Sequence, residues 1–582
     1  MIEITGKFRS ITNTSGKYLT FLFCILSLLF AISLFTNISY PLFWSDESMT
    51  VMGGVRVLEF GYPKVHDGKN VLYDLRHSNP SLGIDEKTDA YIGGANWAQY
   101  YIAAVGVKLA ELTDDIFART AIIRTLFALI GLAGLASLAL LGRQFFQTNL
   151  SKTGFLALFA FFEVISVPLV LHLREARYYS LTVFLVALTI LVYTRYRILK
   201  ITRYSTYALL LVVLLFLVFV NFSPVYFIFL ISFAMFESIL LAIHLVSNYR
   251  GKRSSSGTAD FTLKEIFKDY LMALLPLIVS LIAALPLISF FKTFYIAKEI
   301  SNYNMFGLEL YVENLSVIWR YFSSSDFIYL AIFSKACFLF ILINSLGKDI
   351  TSNDRSRIRF SNLLTTIFII YFFAIARIPN FPFTRYFIPL QPILVLIILL
   401  DLASVYNAIP KLRESVRPYY KGVLVAICLV SLFFNVSKNY EYLKGHVYEM
   451  YHQYRGPLDY LIPFIKQEYM KTDDLVIATN KEETSYMYYL NAKVTIGFVG
   501  NNLEQDSQIV PDIIVYRQWR QNFMPVFRTF LENQRYGRIS FPVADFPVNN
   551  LPELNWAPLF KHQFRTRESE DEEKKVDVFV RN

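Results

Sequence analysis

Cysteine is scarce in this chain, and so is charge. Only three of its 582 residues are cysteines, Cys24, Cys337 and Cys428, and all three fall inside apolar runs. That excludes a disulfide framework or a cysteine-built zinc site as an organising feature. Charged residues make up 18% of the chain, against about 25% in soluble domains. Charge is rarest in the middle of the apolar runs, where Glu237 and Asp401 are partial exceptions. A proton-coupled pump or a flippase would more often carry charge there. No internal repeat is visible, which counts against many secondary-transporter folds. A glycine-rich phosphate loop and metal-ligand spacing are also missing. The net charge of +10 does not call for nucleic acid, because basic loops on one side of a membrane account for it.

What the chain has in abundance is apolar and aromatic surface. Hydrophobic residues reach 54%, with 53 Phe and 38 Tyr, a composition of membrane spans with aromatic interface belts. Stretches long enough to cross a bilayer fall at 18–38, 118–141, 153–172, 178–196, 204–222, 224–247, 268–291, 326–346, 360–377, 385–405 and 420–437. The expected fold is a polytopic α-helical membrane protein with about eleven spans, interfacial helices and a small soluble α/β domain at the C-terminus. The first apolar run is too long for the core of a cleaved signal peptide and reads as an uncleaved anchor.

A further apolar stretch, Trp97 to Leu112, is shorter and carries Lys108 and Glu111. If it lies in the interface without crossing, the basic connections at 194–203, 250–253, 348–359 and 411–417 share one side with the basic N-terminus. The N-terminus is then cytoplasmic, the host membrane is the inner (plasma) membrane, and the tail is extracytoplasmic. Residues 1–438 form the membrane module, with a large outer loop at 39–117. Residues 439–582 form the outer domain. In it, 457–470 and 482–490 read as helices, and 475–479, 494–499, 513–516 and 576–580 read as strands, the last closing the sheet.

The outer face collects the chemistry. Asp46 and Glu47 follow the first span, where ionised groups are costly unless they serve a purpose. Arg174, Glu175, Arg177 and Tyr178 sit in a short outer turn, and Arg377, Arg385 and Tyr386 flank another. These arginines lie on the side that the positive-inside rule depletes, and bound phosphate would explain them. Each residue also has a plainer reading. Asp46 could cap a helix starting near Ser48, Glu175 could form a local surface bridge, the arginines could reach for lipid headgroups, and the tyrosines could be belt aromatics. His66 and His77 in the first loop read as polar surface first and as site residues second.

The Asp46-Glu47 pair, the Glu175-Ala176-Arg177-Tyr178 run and the Arg385-Tyr386 pair before a Pro-containing apolar helix together resemble the GT-C superfamily of polyprenyl-phosphate-sugar-dependent glycosyltransferases. The resemblance is to its protein O-mannosyltransferase and lipid A aminoarabinose transferase branch, over roughly the first 440 residues. It implies a transferase that takes a sugar from a polyprenyl-phosphate carrier and gives it, with inversion, to a lipid, glycan or protein acceptor. Asp46 and Glu47 would be catalytic. Arg174, Glu175, Arg177, Tyr178, Arg377, Arg385, Tyr386 and His77 would bind substrate, His77 within an imperfect His-x-Pro-type element. No cofactor is expected; a divalent metal on Asp46 and Glu175 is the lesser alternative. Two other classes stay open: a lipid-linked glycan flippase or exporter, and a polymerase or ligase using pyrophosphate-linked donors.

Overall fold

The computed structural model describes residues 2–72, 83–93, 97–251, 263–303, 307–325, 327–344, 352–377, 383–409, 417–453, 455–496, 506–518, 524–545 and 575–582. His77 lies outside them. The helices are α1 (Ile2–Phe35), α2 (Ser45–Phe60), α3 (Trp97–Ala110), α4 (Ile116–Arg143), α5 (Asn149–Val164), α6 (Val167–Leu173), α7 (Tyr178–Arg197), α8 (Tyr204–Asn221), α9 (Ser223–Gly251) and α10 (Leu263–Phe290). They continue with α11 (Thr293–Tyr303), α12 (Leu308–Ser325), α13 (Ile328–Asn344), α14 (Ser352–Ile375), α15 (Leu390–Ala408), α16 (Arg417–Tyr451), α17 (Leu458–Glu468), α18 (Glu483–Leu490) and α19 (Met524–Asn533).

Among the described residues nine helices are long and apolar enough to cross a membrane, and eleven spans result if each of two bent pairs counts as one. The chain is a multi-pass membrane protein. α3 has 14 residues, a rise of only about 21 Å against a hydrocarbon core of about 30 Å; it packs against α2 and α4.

The third expected span is not straight. α5 and α6 meet at 80° across Ile165 and Ser166. Pro168 stands in the first turn of α6; it has no N–H to offer Val164, so the helical ladder stops there and restarts in a new direction. This bend leads directly into the turn that carries Glu175 and Arg177. The expected span at 326–346 differs in a similar way: α12 and α13 form the second pair, bent by 87°.

Close helix approach sets the frame around that turn. α4 and α7 form the most extensive helix pair of the bundle. A Cβ added at Gly134 would stand 2.8 Å from the Phe184 backbone, so only glycine permits this separation. Gly54 of α2 plays the same part against α3, where an added Cβ would meet the Ala104 nitrogen at 2.7 Å. The two acidic exceptions inside spans are helix ties. Glu237 accepts from Arg197 Nε at 2.6 Å, and Asp401 accepts from Ser361 at 2.6 Å and pairs with Lys335 at 2.9 Å.

α16 runs unbroken to Tyr451, and the elements of the tail begin at α17. Strands β1 (Val476–Thr479), β2 (Lys493–Ile496), β3 (Ile513–Tyr516), β4 (Tyr536–Ala544) and β5 (Lys575–Arg581) form one sheet in the order β2-β1-β3-β5-β4. β1 runs parallel to β2 and β3, while β5 runs antiparallel to β3 and β4. The last strand therefore lies inside the sheet, and β4, unexpected from sequence, closes the edge. Pro542 and a register shift near Phe541 mark β4 as an edge strand and hide its pattern. The domain is not a free appendage. One buried apolar cluster joins Leu42, Phe43, Val51 and Phe127 of the membrane module to Leu461, Tyr489, Ile513 and Val578 of the tail.

Candidate functional site

Asp46 stands in the first turn of α2. Its cap position is Trp44, which makes no side-chain capping bond, so Asp46 is not the cap. Its carboxylate faces two guanidinium groups. Arg177, just ahead of α7, lies 3.5 Å from Asp46 Oδ2, and Arg385, in the 3-10 turn Thr384–Tyr386 before α15, lies 3.2 Å from the same oxygen. Arg177 Nη1 also donates to the Asp46 carbonyl and to Thr50 Oγ1, both at 3.0 Å. Three segments separated by more than a hundred residues each thus converge on one carboxylate.

Arg385 is held by aromatic faces. Its guanidinium lies 4.0 Å from the Phe383 ring centroid, 5.7 Å from that of Trp44 and 5.8 Å from that of Tyr386. Such stacking fixes a planar cation without consuming its N–H groups. Tyr178 and Tyr386 both pack on Phe222, with centroids 4.7 and 6.4 Å apart. Tyr371 donates to the Tyr386 carbonyl at 2.7 Å, which pins the 3-10 turn.

The three carboxylates of the site have different environments. The Asp46 side chain keeps 29% of its surface exposed, Glu47 none and Glu175 1%. Only Asp46 is open to an incoming ligand. Burial works to raise its carboxyl, but Arg177, Arg385 and Lys481 outweigh that and hold it below the usual carboxylate range. Glu175 goes the other way: burial, with the Glu47 charge adding to it, pushes its carboxyl well above the ordinary value. It accepts from Trp44 Nε1 at 3.2 Å and approaches His172 Nδ1 at 3.5 Å. The surface-bridge reading of Glu175 is thereby excluded.

Glu47 is locked. Arg124 of α4 grips it with two bonds, Nε to Oε1 at 2.8 Å and Nη2 to Oε2 at 2.5 Å, and the Ala176 N–H donates to Oε1 at 3.0 Å. Arg124 also donates to the Ile38 and Pro41 carbonyls at 3.0 and 2.7 Å. Glu47 thus ties the start of α2 to α4 and to the turn that holds Arg177. Arg174 donates to the Thr36 carbonyl at 3.1 Å and anchors the end of α1. Arg377 is exposed at the end of α14, 5.3 Å from the Tyr311 ring centroid. In the first loop, Asp67, next to His66, pairs with the buried Arg56. Among the described residues, no three His, Cys, Asp or Glu side chains are grouped to hold a metal ion.

Two partners escaped the sequence reading. Arg124 lies nine positions into α4 and had a signal, a charge within an apolar run. Lys481 had none, since it sits in a polar turn of the tail 435 positions from Asp46.

No protein-family model matches the chain, and no curated protein does. Among solved structures, the chain is similar to a crystal structure of ArnT from Cupriavidus metallidurans bound to undecaprenyl phosphate, at 10% identity and a TM-score of 0.45, over 97% of this chain and 98% of that one.

Proposed function

We propose that this protein is a membrane glycosyltransferase of the GT-C type that transfers a sugar from a polyprenyl-phosphate carrier to an acceptor hydroxyl on the extracytoplasmic face. The observation that carries the proposal is Asp46, the most exposed of the three carboxylates described above, set between Arg177 and Arg385 at 3.5 and 3.2 Å. A base beside two phosphate-binding cations is what displacement of a sugar phosphate requires. With α3 in the interface, the connections that meet at Asp46 fall on one side and the basic connections on the other. That supports a cytoplasmic N-terminus and an outer C-terminal domain.

In this mechanism the acceptor hydroxyl gives its proton to Asp46 as its oxygen attacks the anomeric carbon. The bond from that carbon to the phosphate oxygen breaks, its electron pair stays on the phosphate, and the configuration inverts. The donor is a phosphodiester with one negative charge; the leaving group is a phosphomonoester approaching two. Arg177 and Arg385 therefore bind the departing phosphate more strongly than the donor, which is the difference that accelerates a reaction. Burial pushes the Glu175 carboxyl up, so it opposes an incoming phosphate less than an ordinary carboxylate would. Glu47 and Arg124 are positioning residues that keep α2 and the Arg177 turn in register.

Asp46→Asn should lower turnover by about 10²–10⁴-fold while leaving polyprenyl-phosphate binding in place. Turnover of that variant near the wild-type rate in a purified assay would remove the base assignment. Carrier lipid crossing liposome bilayers with no glycosidic product would replace the transferase reading with transport.

A further inference from the structure

The C-terminal domain places one segment against the amino end of α2, and that segment is held with unusual rigor. Thr484 Oγ1 lies 2.6 Å from Ser48 Oγ and donates to the Ser45 carbonyl at 3.4 Å. Ser485 Oγ hydrogen-bonds both the Phe43 carbonyl and Ser48 Oγ, at 2.8 and 3.0 Å. These contacts bracket Asp46 from the residues on either side. The turn before them is equally fixed. The Lys481 N–H donates to Thr479 Oγ1 at 3.3 Å, and that hydroxyl donates back to the Lys481 carbonyl at 2.8 Å.

Glu482 then adopts a left-handed conformation at φ 66° and ψ 28°, which costs free energy for a residue other than glycine. A buried hub sustains it. Arg517 is fully buried, pairs with Glu482, and donates from Nε to Asp545 at 2.5 Å. Its backbone exchanges two hydrogen bonds with the Asn480 side chain, at 2.9 and 3.1 Å. Nothing in the transfer chemistry uses this hub. Its geometric effect is to turn the chain at 481–482 so that α18 meets α2, with Lys481 half-buried at the junction.

We infer that Lys481 is a third phosphate-binding cation of the site, supplied by the C-terminal domain, and that the site is incomplete without that domain. The inference rests on the transferase reading above. Arg177, Arg385 and Asp46 alone carry a net charge of one positive. Lys481 brings it to two while Asp46 is ionised, one more than the negative charge of the donor phosphodiester, so it adds attraction for the phosphate before the proton moves. The effect of the Lys481 ammonium already reaches the Asp46 carboxyl, which it helps to hold in the ionised form.

The test is binding of a long-chain polyprenyl monophosphate, and of the matching polyprenol, to the full-length protein in detergent. Wild type, Lys481→Gln and Lys481→Arg are compared, with their melting temperatures. Lys481→Gln should bind the monophosphate about tenfold or more weakly, Lys481→Arg should stay near wild type, and polyprenol binding should not change. The acid limb of kcat/KM should also move to higher pH in Lys481→Gln, because Asp46 loses a cation; a merely structural role would not produce that shift. If wild type prefers the monophosphate and Lys481→Gln binds it equally well, this inference falls alone. If wild type shows no preference for the monophosphate over the alcohol, the phosphate reading of the whole site falls, and this inference with it. A melting temperature lowered equally in the Gln and Arg variants, with equal loss of binding, assigns Lys481 to folding and overturns the inference.

Discussion

Asp46 and Glu47 are neighbours in sequence and opposite in expected behaviour, and this difference can be measured. Glu47 is fully buried and accepts three hydrogen bonds, two from Arg124 and one from the Ala176 N–H. Glu47→Ala leaves the Arg124 cation, itself 2% exposed, with only the Ile38 and Pro41 carbonyls. Removing one partner of a buried pair costs about 3–5 kcal/mol, a large share of a total stability of about 5–15 kcal/mol. Glu47→Gln should sit at the lower end, because one oxygen still accepts while the new amide N–H₂ faces a donor. Replacing both partners, Glu47→Met with Arg124→Met, should recover most of the loss, since an apolar pair of similar volume is often as stable as the ionic one. A double-mutant cycle on unfolding in mixed micelles should therefore return a coupling of at least about 3 kcal/mol. Asp46→Asn, by contrast, should change stability by under about 1 kcal/mol, because its pairs are partly screened by solvent. A Glu47→Gln protein with wild-type stability, intact lipid binding and no turnover would refute the reasoning and make Glu47 a chemical participant.

The pH profile tests the proposed competition at Asp46: if donor phosphate takes Arg177 and Arg385, the Asp46 carboxyl loses the cations that hold it low. The acid limb of kcat, which reports the complex, should lie at higher pH than that of kcat/KM, which reports the free enzyme; coincident limbs would show that phosphate does not displace Asp46. Asp459 of α17 gives a second titration. Burial raises its carboxyl to about 7 from an unfolded value of 3.8, against the opposing hydrogen bonds from the Leu42 and Gly456 N–H groups. A raised folded-state value means that folding takes up a proton. Stability from this group is complete below about pH 4 and declines as pH rises from 4 to 7, by at most about 1.4 kcal/mol per unit. Asp459→Asn should flatten that slope in thermal unfolding measured at several pH values. Gly134→Ala forces a Cβ to within 2.8 Å of the Phe184 backbone; it should cost about 1–3 kcal/mol and weaken turnover by separating Arg124 from Arg177, both readable from melting temperature and rate.

The membrane helices were legible because apolar length is a local property, and each span declares itself without reference to its neighbours. Arg177 and Arg385 were also legible, because each sits at the end of an apolar run, a local property as well. What sequence could not convey was pairing. Asp46 and Glu47 are equivalent as a string, and only the arrival of Arg124 from α4 makes one a frame and leaves the other open. The bend at Ile165 and Ser166 was written in Pro168, but continuous hydropathy through 153–172 masked it. Lys481 comes to the vicinity of Asp46 through the packing of α18 against α2, and a proximity of that sequence separation leaves no trace in a single chain.

The arrangement of carboxylates also explains why Arg177 and Arg385 are tolerated side by side. Three acids lie within one small region, and three ionised carboxylates there would cancel the arginines and leave no field for an anion. The fold removes two of them by different means. Glu47 is neutralised by Arg124 inside the protein, where no solvent competes for either partner. Glu175 is buried with a Trp44 N–H and a histidine for company and is driven toward its protonated form. Asp46 is the remaining acid, paired with two guanidinium groups and so facing more positive charge than it can neutralise. A site left with surplus positive charge is stable only if water or an anion reaches it, and the partial exposure of Asp46 shows that the opening exists. The same surplus that would destabilise a sealed interior is therefore an attraction for an anion, as the proposed phosphate site requires.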